Sequence, residues 1–233
     1  MNFEVKMKPQ LFLLHFAGGN SYSFRFMNPL LTKFDVVALE LPGRGDRMDE
    51  NLLRNFDLAA NDIFGQINKK LTSSDNFLIY GHSLGAYLAL RVACMLEKIN
   101  KKPKHVIVSG NAGPGIREAK DYHLLEKNDF KTELNKMGGF PQEILENNEL
   151  FDFFEPVLRA DFELIEKDML SNEKPIAASI YAFMGSEEKL VKNITNWGNF
   201  TTATFNYEVV NGGHFFILEH PTKITDIINK YAS

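Results

Sequence analysis

The sequence predicts an α/β fold, with a mostly parallel central sheet and helices on both faces. Short apolar runs rich in β-branched and aromatic residues alternate with longer segments of helical period. Size agrees: 233 residues, 44% hydrophobic and 24% charged, can bury a substantial core and suit one globular unit, 1–233.

Strands are expected near 10–16 (QLFLLHF), 35–41 (DVVALEL), 76–80 (NFLIY), 105–109 (HVIVS), 176–184 (IAASIYAFM) and 203–210 (ATFNYEVV), with 2–7 a candidate edge strand. Helices are expected near 21–33, 56–72, 84–98 and 221–231, the last opening on Pro221. The segment 114–170 breaks the alternation, being helix-like, acidic and Phe-rich. It reads as a helical insertion that hangs over one sheet edge as a lid and lines an acyl pocket with its apolar faces. Right-handed crossovers between parallel strands put every strand C-terminus at one edge, so the loops after strands are where a site is expected.

Composition narrows the partners. A net charge of −4 without a long basic run argues against nucleic acid. The start, MNFEVKMKPQ, has no unbroken apolar stretch, and no segment nears the ~20 apolar residues that span a bilayer, so neither export nor a membrane is expected. A single cysteine, Cys94, cannot make an intramolecular disulfide or a cysteine-based zinc site, which fits the reducing cytoplasm. There is no metal-ligand cluster and no P-loop, and the chemistry below calls for no cofactor.

The strongest motif is Gly81-His82-Ser83-Leu84-Gly85, between the apolar strand NFLIY and the helix-period run LGAYLALRVACMLE. A G-x-S-x-G pattern is weak alone, and strand before with helix after is the context that makes it a nucleophile elbow of the α/β-hydrolase fold. The turn strains and exposes Ser83, while the helix N-terminus behind it favours developing negative charge. The N–H of Leu84 is then one oxyanion donor. A second is expected from the loop His15-Phe16-Ala17-Gly18-Gly19-Asn20 after the first strand, with the N–H of Ala17 as the choice.

Of six histidines, His214 in Asn211-Gly212-Gly213-His214 follows the last strand and completes the order serine, acid, histidine, which marks it as the general base. His220 suits a capping or surface role, His82 lies inside the elbow, His105 opens a strand at the far edge, and His123 belongs to the insertion. After strand 176–184 no aspartate follows, and the loop offers Gly185-Ser186-Glu187-Glu188. Glu188 is the first choice for the orienting acid, Glu187 the second and Asp161 an outside candidate.

HFAGG (15–19), LPGRGDR (41–47), GHSLGA (81–86), LRAD (158–161) and GGHFFI (212–217) occur in this order across nearly the whole chain. In these motifs the sequence resembles the stand-alone type II thioesterases that serve nonribosomal peptide and polyketide synthetases. The resemblance implies hydrolysis of acyl groups from the phosphopantetheine arm of carrier proteins, by a monomer, with Ser83 as nucleophile, His214 as base and Ala17 and Leu84 as oxyanion amides. The family's acid is an aspartate in a G-x-x-D loop, where this chain has Glu188.

Arg25, Arg44 and Arg47 lie in loops after strands and are candidates to meet an acidic carrier or the phosphate of its arm. The run EKINKKPKH (97–105) falls at the opposite edge and reads as a solvated face. A general carboxylesterase or acyl-CoA thioesterase is the alternative enzyme, and a catalytically weak synthetase-binding protein the alternative of another class.

Overall fold

The structure is a computed structural model and describes residues 8–167 and 172–232. The candidate edge strand at 2–7 lies outside the described residues. Six strands, β1 (Gln10–Leu14), β2 (Asp35–Ala38), β3 (Phe77–His82), β4 (His105–Ser109), β5 (Ser179–Gly185) and β6 (Phe205–Val210), form one sheet in the order β2-β1-β3-β4-β5-β6. Every pairing between them is parallel. The chain runs from β1 out to β2 and returns to β3, so the topological switch point lies between β1 and β3, where open α/β sheets bind ligands.

Side-chain alternation sends the two faces of this sheet into separate cores. Phe12, Ile79 and Val106 pack under α1 (Phe56–Lys70) and α2 (Leu84–Glu97), through Ile63, Ile67, Leu88 and Val92. Leu11, Leu13, Tyr80 and Ile107 face the other way, against Phe24, Met27, Phe216 and Ile224. Asn55 opens α1 by accepting the Leu58 N–H at 3.0 Å, the expected N-cap bond.

Between β4 and β5 stand α3 (Lys127–Met137), α4 (Gln142–Glu146) and α5 (Asn148–Lys167). They carry their own cluster, in which Phe130, Phe151, Leu158 and Phe162 are central, with Ala17 of the loop after β1 packed against it. The chain ends in α6 (Phe216–Glu219) and α7 (Pro221–Lys230). Among the described residues, no helix is long and apolar enough to cross a membrane.

Two segments depart from expectation. The helix expected over 21–33 is a series of turns closing on a short 3-10 helix, Asn28–Leu30. Its hydrogen bonds run from Ser23 to Asn20, Arg25 to Tyr22, Met27 to Phe24 and Leu30 to Met27. Pro29 has no N–H to continue an α-helix, and three-residue spacing still buries Phe24 and Met27. After β5 the chain forms an unforeseen 3-10 segment, Val191–Phe200, whose Trp197 is wholly buried and donates Nε1–H to the Asn111 carbonyl at 3.0 Å.

Trp197→Ala should lower stability by about 3 to 5 kcal/mol, through the cavity it opens and the carbonyl it leaves unpaired. A urea melt measures this as a lower midpoint at unchanged slope.

Candidate active site

The site forms at the carboxyl edge of the sheet, where loops after β1, β3, β5 and β6 converge. Ser83 holds φ 55° and ψ −114°, a conformation that only a few non-glycine residues adopt. Neighbouring glycines make the turn possible. A Cβ on Gly81 would lie 2.0 Å from the Gly85 carbonyl oxygen, and one on Gly85 would lie 2.1 Å from that of Leu14. The Ser83 N–H donates to the Ser109 carbonyl at 2.7 Å, and Asn111 Nδ2 donates to the Ser83 carbonyl at 2.8 Å, which ties the elbow to the end of β4. Leu84 begins α2, so its N–H is among those free of intrahelical partners.

His214 follows β6, and its Nδ1 faces Glu188 Oε2 at 2.9 Å. Glu188 is itself anchored, since its Oε1 accepts the Gly185 N–H at 2.7 Å. A carboxylate held at both oxygens fixes the imidazole tautomer with hydrogen on Nδ1, leaving Nε2 unprotonated to accept a proton. Ser83, His214 and Glu188 line one cavity of about 360 Å³. Its apolar wall comes from Tyr87, Ile116, Phe162, Ile165 and Met184. Charges around it are paired with one another: Glu133 with Lys120 and Lys136, and Glu118 with Lys189. A smaller pocket of about 40 Å³ brings Ala17, Phe140 and Phe215 to the same serine and histidine.

Of the other acid candidates, Glu187 lines the same cavity and Asp161 does not. Glu187 is exposed and binds the Gly212 carbonyl through its backbone N–H. Asp161 is wholly buried, and its carboxylate takes both Arg44 nitrogens, at 2.5 and 2.7 Å. This corrects the expectation for Arg44, which is buried and committed to Asp161, so it cannot reach a carrier. Arg47 is corrected in the same way: its guanidinium bonds Glu50, Asp62 and the Glu40 carbonyl at 2.6 to 2.9 Å. Arg25 is exposed and lies 4.9 Å over the Tyr22 ring.

Sequence reasoning missed two residues that shape the loops. Glu40, buried after β2, accepts the N–H groups of Ser21 and Asp46 at 3.0 and 2.9 Å. His15 is buried at the end of β1, its Nε2 accepting the Leu41 N–H at 3.3 Å and its Nδ1 lying 2.9 Å from the Phe16 carbonyl. A neutral ring with hydrogen on Nδ1 satisfies both contacts. Burial, reinforced by the Arg44 charge, lowers its pKa from 6.5 to about 4. Burial also holds the His82 imidazole, adjoining the His214 ring, well below the ordinary range. His123 pairs with Glu166 inside the insertion, and His105 stacks on Tyr231. His220 occupies the N-cap position of α7 without a side-chain capping bond. A polar residue at an otherwise apolar strand end was the available signal for His15 and Glu40, because such groups require buried partners.

The thioesterase domain family model matches residues 9–231. The gramicidin S biosynthesis protein GrsT of Aneurinibacillus migulanus is 31% identical over 98% of this chain and 91% of its own length. The type II thioesterase BorB of the borrelidin biosynthetic cluster superposes with a TM-score of 0.88 at 27% identity, covering 99% of this chain and 94% of that one. The RedJ thioesterase of the prodiginine pathway in Streptomyces coelicolor gives 0.88 at 26%, covering 96% and 90%.

Two outcomes follow from the site's hydrogen bonds. Glu188→Gln should slow labelling of Ser83 by a fluorophosphonate by about 10² to 10⁴, since the base loses its orienting charge, while Glu187→Gln labels at close to the native rate. Because folded His15 takes up its proton only near pH 4 and the unfolded chain near 6.5, stability falls on acidification through that window. The loss reaches on the order of 3 kcal/mol from His15 alone. Urea midpoints at pH 7 and pH 4.5 measure the fall, and His15→Gln should make it shallower.

Proposed function

The chain belongs to the thioesterase domain family, whose model spans residues 9–231, and from that premise we propose that it removes acyl groups from the phosphopantetheine arm of synthetase carrier proteins. Its relatives named for nonribosomal peptide and polyketide pathways support this choice of substrate. The enzyme is a hydrolase of thioesters on an α/β-hydrolase fold. The observation that carries the catalytic reading is His214 held at 2.9 Å by Glu188 beside the strained Ser83, all three on one cavity.

In this mechanism the acyl chain lies in the cavity along Phe162 and Ile165, under the insertion acting as a lid. His214 Nε2 takes the Ser83 hydroxyl proton as Oγ attacks the thioester carbonyl. Glu188 stabilises the imidazolium that forms, and the N–H groups of Leu84 and Ala17 receive the oxyanion. Collapse expels the pantetheine sulfur, protonated by His214, and leaves an acyl-enzyme. Water, activated by the same base, then releases the free acid and restores Ser83. No electrons are transferred to or from the acyl group, so the cycle needs no redox partner.

One chain supplies nucleophile, base, acid and both amides, so a monomer suffices for the chemistry. The net charge of −4 gives no counterpart for a nucleic-acid backbone, and the single cysteine supports a reaction in the reducing cytoplasm. Of the three arginines, Arg25 is the remaining candidate for contact with an acidic carrier.

Intact-mass analysis of an acyl-loaded carrier protein, incubated with the native enzyme or with Ser83→Ala, tests the reading. Loss of the acyl mass only with the native enzyme, and faster than from acyl-CoA at equal concentration, is the expected result. Faster turnover of acyl-CoA would instead make it a thioesterase of free substrates, and acyl mass that persists with both proteins would remove the hydrolytic role on carriers.

A further inference from the structure

The loop after β1 is held from a distance. Gly18 N–H donates to Asp161 Oδ2 at 2.8 Å, and Arg44 Nη1, while paired with that same oxygen, donates to the Gly19 carbonyl at 3.2 Å. Asp161 stands on α5 and Arg44 in the loop after β2, so three separate parts of the chain meet at two peptide units. Leu158, one turn before Asp161, presses on the same place: a Cβ on Gly18 would lie 2.5 Å from its Cδ2. Gly18 also holds φ +74°, so the loop takes this course only with glycine there.

These contacts bear on a single N–H. A trans peptide is planar, so the direction of the Ala17 N–H is set by whatever holds the Phe16 carbonyl in the same peptide unit. That carbonyl accepts the Gly19 N–H at 2.9 Å and lies 2.9 Å from His15 Nδ1. Gly19 can donate there only while its own position is kept, and Asp161 and Arg44 keep it by binding the peptide group before Gly18 and the one after Gly19. The geometry points to Arg44 and Asp161 as positioning residues that aim the oxyanion-hole amide of Ala17. This role rests on the assignment of Ala17 and Ser83 made above, and goes beyond it by naming what holds the amide. Neither side chain faces the substrate. Since Asp161 belongs to the insertion, oxyanion-hole geometry depends on where α5 lies.

The pair's buried charges shape the test. Removing one charge leaves the other buried without its partner and can unfold the protein, whereas removing both at similar volume can leave the fold intact. Asp161→Asn and the double variant Arg44→Met/Asp161→Leu are therefore compared with the native enzyme on an acyl-pantetheine thioester. The assays are kcat, KM, melting temperature and the affinity for a trifluoromethyl ketone analogue, which binds Ser83 as a tetrahedral adduct and uses the oxyanion amides. The expected result is a double variant that melts near the native temperature with KM little changed, while kcat falls about 10- to 100-fold. Analogue affinity should fall by the same factor. A double variant with native kcat, or one whose losses follow KM while analogue affinity is kept, would overturn the positioning role. Ser83→Ala is assayed alongside: if it still turns over the thioester, the site assignment itself fails and the positioning role goes with it.

Discussion

The site depends on the contact between the start of α2 and the end of β1. Gly85 passes so near the Leu14 carbonyl that no side chain fits between them, and Gly81 passes Gly85 in the same way. This proximity forces the strand-to-helix turn into the narrow form that leaves Ser83 at φ 55°. It also sets the loop after β1 beside Ser83, because β1 and β3 are neighbours in the sheet. The strained serine, the N-terminus of α2 and the Ala17 loop are thus consequences of one approach between backbones.

Around that point, charged side chains are placed against partners. Asp161 meets Arg44, and Glu188 meets His214 and the Gly185 amide, while the Glu40 carboxylate binds two loop amides. Desolvation makes an unpaired charge costly, so each of these pairings fixes a loop that would otherwise be free to move. His15 adds a neutral link, joining the end of β1 to Leu41, and stays neutral because burial and Arg44 both disfavour its charged form. The loops around Ser83 are therefore cross-braced to one another as well as anchored on the sheet.

Much of this was legible in the sequence because its signals are local. The strands announce themselves as apolar runs, and the elbow as glycines and serine between a strand and a helix. The order of Ser83, Glu188 and His214 along the chain could be read from which strand each one follows. What was not legible depends on partners far apart. Arg44 looks like a loop cation until Asp161, 117 residues away, is folded onto it. Arg47 likewise looks free until Asp62 of α1 arrives. The segment 21–33 shows helical apolar spacing, yet Phe24 and Met27 are buried as readily by three-residue turns, and Pro29 decides between the two.

In the proposed reaction the acyl group passes through a covalent bond to Ser83. Rapid quenching of the enzyme with an acyl thioester, followed by mass analysis of its proteolytic peptides, tests this most directly. The expected result is an acyl adduct on Ser83 that forms on mixing and disappears once the substrate is consumed. Steady turnover with no adduct on Ser83, or with the adduct on another side chain, would contradict it.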